Sequence, residues 1–185
     1  MMARKILTKN FFDRKAPIVA RELIGKFLVR RIGGKKFALM ITETEAYDGF
    51  ADRASHASRG KTARNAPMFG EAGTIYVYFT YGMHWMLNIV CGKKDYPSAV
   101  LIRAAGDITG PARLTKKLHI HKKLNGKRLS RRTGLWIEDW GVVIPRNHIQ
   151  KTPRIGIRYA GEWARTPWRF VVTAKKEEKK EARGR

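Results

Sequence analysis

The sequence predicts a single mixed α/β (α+β) domain: a largely antiparallel, curved sheet with surrounding helices and a protruding β-hairpin. Three observations carry that expectation. Short β-branched and aromatic runs recur along the chain, separated by glycine and proline turn signals. Few stretches show the apolar spacing of a helix. Two strand-like runs flank Thr80-Tyr81-Gly82-Met83-His84, which reads as a hairpin tip because Gly82 tolerates positive φ. The chain has 185 residues and an apolar fraction of 43%, enough for one domain with a sizeable core.

Taken in order, residues 16–25 read as a short helix. Pro17 suits the first turn, Ile18, Val19, Leu23 and Ile24 form an apolar stripe, and Gly25 ends it. Residues 27–31 read as a strand, and Gly33-Gly34 turns into a second strand over 37–42. Residues 48–72 are small, polar and charged with no apolar period; so long a stretch within a domain is functional or disordered. Strand character returns over 74–79 and 85–90, and again over 99–103 after a turn at Tyr96-Pro97. Gly110-Pro111 opens a helix running through Leu114 and Leu118. Short β segments around 135–137, 142–144 and 154–157 complete the pattern. Residues 1–174 are expected to form the domain, and the charged, apolar-poor tail 175–185 to be disordered.

The charge is the loudest global feature. There are 39 Lys and Arg against 15 Asp and Glu, a net charge of +24. Neutralising phosphates with release of counterions is the usual use of such a surplus, so nucleic acid is the expected partner. An anionic membrane surface would want the charge on one amphipathic helix or one terminus, whereas here it is spread along the chain. No apolar run is long enough to cross a bilayer, and the N-terminal segment lacks a signal-peptide core. The expectation is a soluble, intracellular protein of the cytoplasm or nucleoid. The lone cysteine, Cys91, leaves no internal disulfide and no multi-thiolate metal site; within Asn88-Ile89-Val90-Cys91 it reads as a buried, inert thiol. The histidines show no metal-binding spacing, and His119 and His121, two apart in a basic helical stretch, would face different directions. No metal and no cofactor are expected.

Acids are scarce, so their placement is informative. Glu43 and Glu45 leave an apolar strand together, and alternation puts both on one side, with Tyr47 two further along if the strand continues. A carboxylate at the end of a buried strand beside aromatics can act as a general base; two solvated edge acids, or salt-bridge partners, explain the same residues equally well. Tyr76, Tyr78, Tyr81, His84 and Trp85 form an aromatic hairpin. Tyr76 within a strand is more simply a core residue, whereas Tyr81 at a tip has no core to fill and suits a wedge in a base stack. In the loop over 52–65, Arg59, Lys61 and Arg64 suit DNA phosphate, and His56 is either a pocket residue or an unremarkable loop histidine.

Segments in this order resemble the alkyladenine (3-methyladenine) DNA glycosylase family. The matching stretches are Glu43-Thr44-Glu45-Ala46-Tyr47, Ala54-Ser55-His56-Ala57, Thr62-Ala63-Arg64-Asn65 with Met68-Phe69, and Gly73-Thr74-Ile75-Tyr76-Val77-Tyr78. They continue through Tyr81-Gly82-Met83, Asn88, Leu101-Ile102-Arg103-Ala104, Gly110-Pro111, Pro153-Arg154-Ile155-Gly156, Ala160-Gly161-Glu162 and Pro167-Trp168-Arg169-Phe170. The resemblance implies a monomeric, cofactor-free enzyme that flips damaged purines out of double-stranded DNA and hydrolyses the N-glycosidic bond. It implies that Glu45 is the general base, and that Arg103 lies near the flipped nucleotide's phosphate and the attacking water. Tyr47, His56 and Tyr78 would enclose the base, Asn88 would oppose the 2-amino group of guanine, and Tyr81, with Met83 beside it, would fill the gap in the duplex. No lysine aligns with a nucleophile position, which implies a monofunctional enzyme. Two features depart from the family pattern: Trp85 after His84, and the segment 113–132, which carries many Lys and Arg and no acid.

Two other readings fit the composition. A non-catalytic binder of single-stranded or structured nucleic acid would use the same charge and aromatics, but gives no reason for Glu45 among them. A ribosome- or RNA-associated basic protein would bind RNA more tightly than lesion duplex.

Overall fold

In the computed structural model, which describes residues 4–173, the strand-forming runs join one nine-stranded antiparallel sheet. Its strands are β1 (Lys5–Ile6), β2 (Phe27–Ile32), β3 (Lys35–Asp48), β4 (Ile75–Thr80), β5 (His84–Val90), β6 (Ser98–Ala105), β7 (Leu135–Asp139), β8 (Ile149–Thr152) and β9 (Arg169–Val172). The order is β1-β7-β2-β3-β6-β5-β4, and β9 pairs with both β3 and β8. The helices are short: α1 (Lys9–Phe12), α2 (Ala16–Leu23) and α3 (Pro111–Lys117). No helix among the described residues is long and apolar enough to cross a membrane.

Strand β3 organises the sheet. Gly33 and Gly34, both at positive φ, turn the chain so that the first half of β3 pairs with β2. The register shifts between Ile41 and Thr44, and the second half then lies between β6 and β9. The strand therefore runs on to Asp48 rather than ending at residue 42, and both carboxylates sit within it.

Strict alternation divides the sheet into two chemistries. Thr44 and Ala46 on β3, Ile75 and Val77 on β4, Leu87 and Ile89 on β5, and Val100 and Ile102 on β6 are all buried. The apolar ones pack with Val19 and Leu23 of α2 and Leu114 of α3 in the main core, and the Thr44 hydroxyl donates to the Ala20 carbonyl of α2 at 2.8 Å. Each buried aliphatic contributes roughly 1.5–3 kcal/mol of transfer free energy. The intervening positions, Glu45, Tyr47, Tyr76, Tyr78, Asn88, Leu101 and Arg103, point the other way. Cys91 is buried, and burial pushes its thiol well up, as expected of an inert group.

Several expectations are corrected. Residues 142–144 form no strand, and Val143 is 84% exposed. Residues 154–157 are an irregular loop, because Gly156 takes φ +79° and breaks any extended run. Strands β1, β8 and β9 and helix α1 are additional elements. The basic segment leaves the helix at Lys117; His119 has φ +49°, and the His121 side chain accepts from the Lys123 backbone at the start of a 3-10 turn, so neither histidine is helical. Residues 48–72 are ordered by turns and by a 3-10 helix at Ala66–Phe69. The expected tail lies outside the described residues.

Candidate active site

The register places four pocket-side residues in one row across four strands. Glu45 of β3 lies opposite Leu101 of β6, Leu101 opposite Asn88 of β5, and Asn88 opposite Tyr76 of β4. With strands spaced ~4.8 Å, this row spans about 14 Å. Tyr78 and Met86, paired across β4 and β5, stand beside the row. Ala54, His56, Arg64 and Met68 on one loop and Ile155, Gly156, Ile157 and Tyr159 on another supply further walls. The result is a cavity of about 450 Å³, within the size range of small-molecule sites, whose walls include Tyr47, His56, Tyr76, Tyr78, Asn88 and Arg103.

Glu45 has no exposed surface. Its Oε1 accepts the backbone N–H of Ile155 at 2.8 Å, and its Oε2 accepts the hydroxyl of Tyr47 at 2.9 Å. Arg103 Nη1 lies 3.3 Å from the same Oε2. Arg103 is held in turn by Glu43, whose Oε1 accepts Arg103 Nε at 2.7 Å and Arg169 Nε at 2.6 Å. Burial opposes the charge on Arg103, but Glu45 and Glu43 more than offset it, so the guanidinium titrates above its ordinary value. Burial, followed by the charge of Glu45, pushes the Tyr47 hydroxyl well above the usual tyrosine range and keeps it a donor. The alternation expected for Glu43, Glu45 and Tyr47 holds, and neither acid is a solvated edge residue.

The aromatic walls are linked. His56 Nδ1 lies 3.1 Å from the Tyr76 hydroxyl, and its ring meets Tyr78 edge-on at 4.5 Å between centroids. Tyr76 and Tyr78 rings are 5.4 Å apart. Tyr76 is buried, as a core residue would be, yet it also lines the cavity. Burial pushes its hydroxyl up to about 12 and that of Tyr78 higher still. The imidazole of His56 is lowered, by burial first and by the nearby Arg64 charge second. Asn88 donates its amide to the Tyr76 carbonyl at 3.3 Å and the Met86 carbonyl at 3.4 Å, so its oxygen is the group it has left to offer a ligand.

The hairpin tip stands out from the sheet. Tyr81 is 78% exposed and Met83 67%. Tyr81 takes φ +52° beside Gly82 at +66°, an uncommon conformation for a bulky side chain. It lies at the cavity mouth, whereas Met83 does not line the cavity. Of the expected phosphate residues, Arg64 lines the cavity, donating to the Phe79 carbonyl at 2.7 Å. Arg59 lies in a neighbouring groove, and Lys61 sits over the Phe69 ring. Among the described residues, no cluster of three metal-ligating groups occurs.

Sequence reasoning missed three contributors. Tyr159, 71% exposed, stands at the cavity wall with Ile155. The Ile155 amide reaches Glu45 from a loop whose sequence predicts a strand. Arg154, next to Ile155 in the chain, forms a fully buried ion pair with Asp52. The available signal was the scarcity of acids, since an Asp inside a small-residue loop of so basic a chain calls for a cation.

Comparison with known proteins finds relatives over most of the chain. A family model described as methylpurine-DNA glycosylase (MPG) matches residues 10–108 and 106–176. A protein of Methanocella arvoryzae named "Putative 3-methyladenine DNA glycosylase" is 43% identical over 185 residues, covering 89% of this chain and 91% of that protein. A protein of the same name from Anaeromyxobacter dehalogenans strain 2CP-C is 44% identical over 173 residues, 90% of this chain and 83% of its own length. Another, from Legionella pneumophila strain Paris, is 40% identical over 180 residues, 91% and 94% respectively.

Proposed function

This chain belongs to the methylpurine-DNA glycosylase family, and from that premise we propose that it flips alkylated and deaminated purines out of duplex DNA into the aromatic cavity and hydrolyses them from deoxyribose with Glu45 as general base. The protein is a DNA glycosylase, a hydrolase of N-glycosyl bonds in DNA repair. The observation that carries the flipping and general-base reading is the enclosed carboxylate of Glu45, in one cross-strand row with Asn88 and Tyr76 and bonded to Tyr47.

A carboxylate offers about four acceptor sites. Ile155, Tyr47 and Arg103 approach three of them, and the fourth is for a single water aimed at C1′. As the glycosidic bond lengthens, the sugar becomes oxocarbenium-like; Glu45 stabilises that charge and takes the water's proton. Methylation at N3 or N7 makes the purine cationic and a ready leaving group, and the faces of Tyr47 and Tyr78 favour a cation. Neutral lesions such as hypoxanthine and ethenoadenine rely more on stacking and on protonation of the leaving base. Asn88 opposes the 2-amino group of guanine. Tyr81, with Met83 beside it, fills the gap in the stack, while Arg59, Lys61 and Arg64 hold phosphates. Flipping costs a few kcal/mol, less for a weakly paired lesion, which contributes selectivity.

No lysine lines the cavity among the described residues, which supports a monofunctional enzyme, proposed here to act as a monomer. The test is incubation of methylated DNA and of single-lesion duplexes with the protein. Strand scission is expected only after alkali, and borohydride is expected to trap no covalent adduct. A trapped adduct would overturn the monofunctional assignment, and absence of scission on every substrate would overturn the glycosylase mechanism itself.

A further inference from the structure

We infer that Arg154, locked by Asp52, is a positioning residue that sets the geometry of Glu45 through the Ile155 amide. This deepens the assignment of Glu45 as general base and rests on it. The two side chains have no exposed surface, and the guanidinium grips Asp52 with both ends: Nη1 to Oδ2 at 2.6 Å and Nη2 to Oδ1 at 2.9 Å. Nη1 also donates to the carbonyl of Ala46 at 2.8 Å, and Nη2 to that of Trp163 at 3.2 Å. The guanidinium carbon lies 4.8 Å from the centroid of Tyr47 and 5.2 Å from that of Trp168.

Several of these contacts lead to the proposed reaction centre. Ala46 is the residue between Glu45 and Tyr47 on β3. Asp52 anchors the start of the loop that carries His56, accepting the amides of Asp48 at 3.2 Å and Ala54 at 3.1 Å. The next residue after Arg154 is Ile155, whose N–H bonds Glu45 Oε1 at 2.8 Å. One guanidinium therefore ties together the strand of the base, the ring above it, the loop bearing His56 and the amide that orients the carboxylate. Only a planar, forked cation makes two parallel bonds to a carboxylate while also reaching two carbonyls; lysine has the charge without the fork. A pair built only for stability would have no reason to place the adjoining N–H on Glu45. Such buried pairs are also weak sources of stability compared with apolar packing.

The test uses the full chain on duplexes carrying one lesion purine that the wild type excises. Arg154→Lys keeps the charge and loses the fork. In a second variant Ile155 is replaced by its α-hydroxy acid analogue, so that an ester oxygen stands where the N–H was and the Asp52–Arg154 pair is untouched. Lesion affinity and single-turnover excision are measured for both, with Glu45→Gln alongside. A hydrogen bond to a charged group implies ~10–100-fold slower excision in the ester variant, with affinity within ~3-fold of wild type. Arg154→Lys is expected to show the same split between rate and affinity. If it does not fold, Asp52→Asn, which keeps the shape and weakens the grip on Arg154, is measured in its place. Wild-type excision by the ester variant beside an inactive Glu45→Gln overturns the positioning role and leaves the general base standing. An active Glu45→Gln overturns the general-base assignment and this inference with it.

Discussion

The hydroxyl of Tyr47 donates to Glu45 Oε2 at 2.9 Å from two residues further along the same strand. One alternation step of β3 thus supplies both the carboxylate and the ring above it. Tyr47→Phe keeps the ring and removes the donor. Loss of a hydrogen bond to a charged acceptor, roughly 1.5–3 kcal/mol, is expected to slow excision about 10–100-fold. Lesion affinity measured by gel shift should hold, because the stacking face remains. Equal loss of affinity would assign the hydroxyl to binding instead.

His56 is expected to be neutral at pH 7, because burial and then Arg64 lower its pKa below the ordinary ~6.5. The folded value is the lower one, so below pH ~6.5 the unfolded chain binds the proton first. The stability contributed above that pH is lost as pH falls towards the folded value and levels off beneath it. In the site, a protonated His56 would repel a cationic methylpurine. Excision of 7-methylguanine should therefore fall on acidification more steeply in wild type than in His56→Gln. Parallel pH profiles for the two proteins would remove His56 from the cage.

Tyr81 stands clear of the fold, so Tyr81→Ser should shift stability by no more than about 0.5 kcal/mol. Base–aromatic stacking of ~1–3 kcal/mol implies a loss of lesion affinity of about 5–150-fold. Affinity for undamaged duplex should change little. Parallel losses on both duplexes would make the tyrosine a general contact rather than a wedge.

Lys122, Lys123, Arg131 and Arg132 all lie on the surface of the basic segment. Replacing them with alanine should reduce the salt slope of duplex binding by about 0.9 for each phosphate that is no longer neutralised. An unchanged slope would place this surface away from the DNA.

The sheet and the hairpin were legible because their signals are local. Alternation in β3 announced which side Glu43, Glu45 and Tyr47 share, and Gly82 announced the tip. What stayed hidden depends on partners distant in sequence. Ile155 and Ile157 look like strand residues, yet Gly156 at φ +79° turns that stretch into a loop whose amide serves Glu45. Strand β9 finds its partners in β3 and β8, and its run Arg169-Phe170-Val171-Val172 is too short to stand out by period. The Asp52–Arg154 pair joins residues 102 positions apart, and neither neighbourhood alone shows that the charge is buried.

The most direct measurement is single-turnover excision by Glu45→Gln on a duplex carrying one lesion purine that the wild type excises, with abasic sites revealed by alkali and lesion affinity measured on the same duplex. If Glu45 is the general base, excision is lost while affinity stays near that of wild type, since the cage and hairpin are untouched. Excision at the wild-type rate would contradict that role and assign the base to another residue.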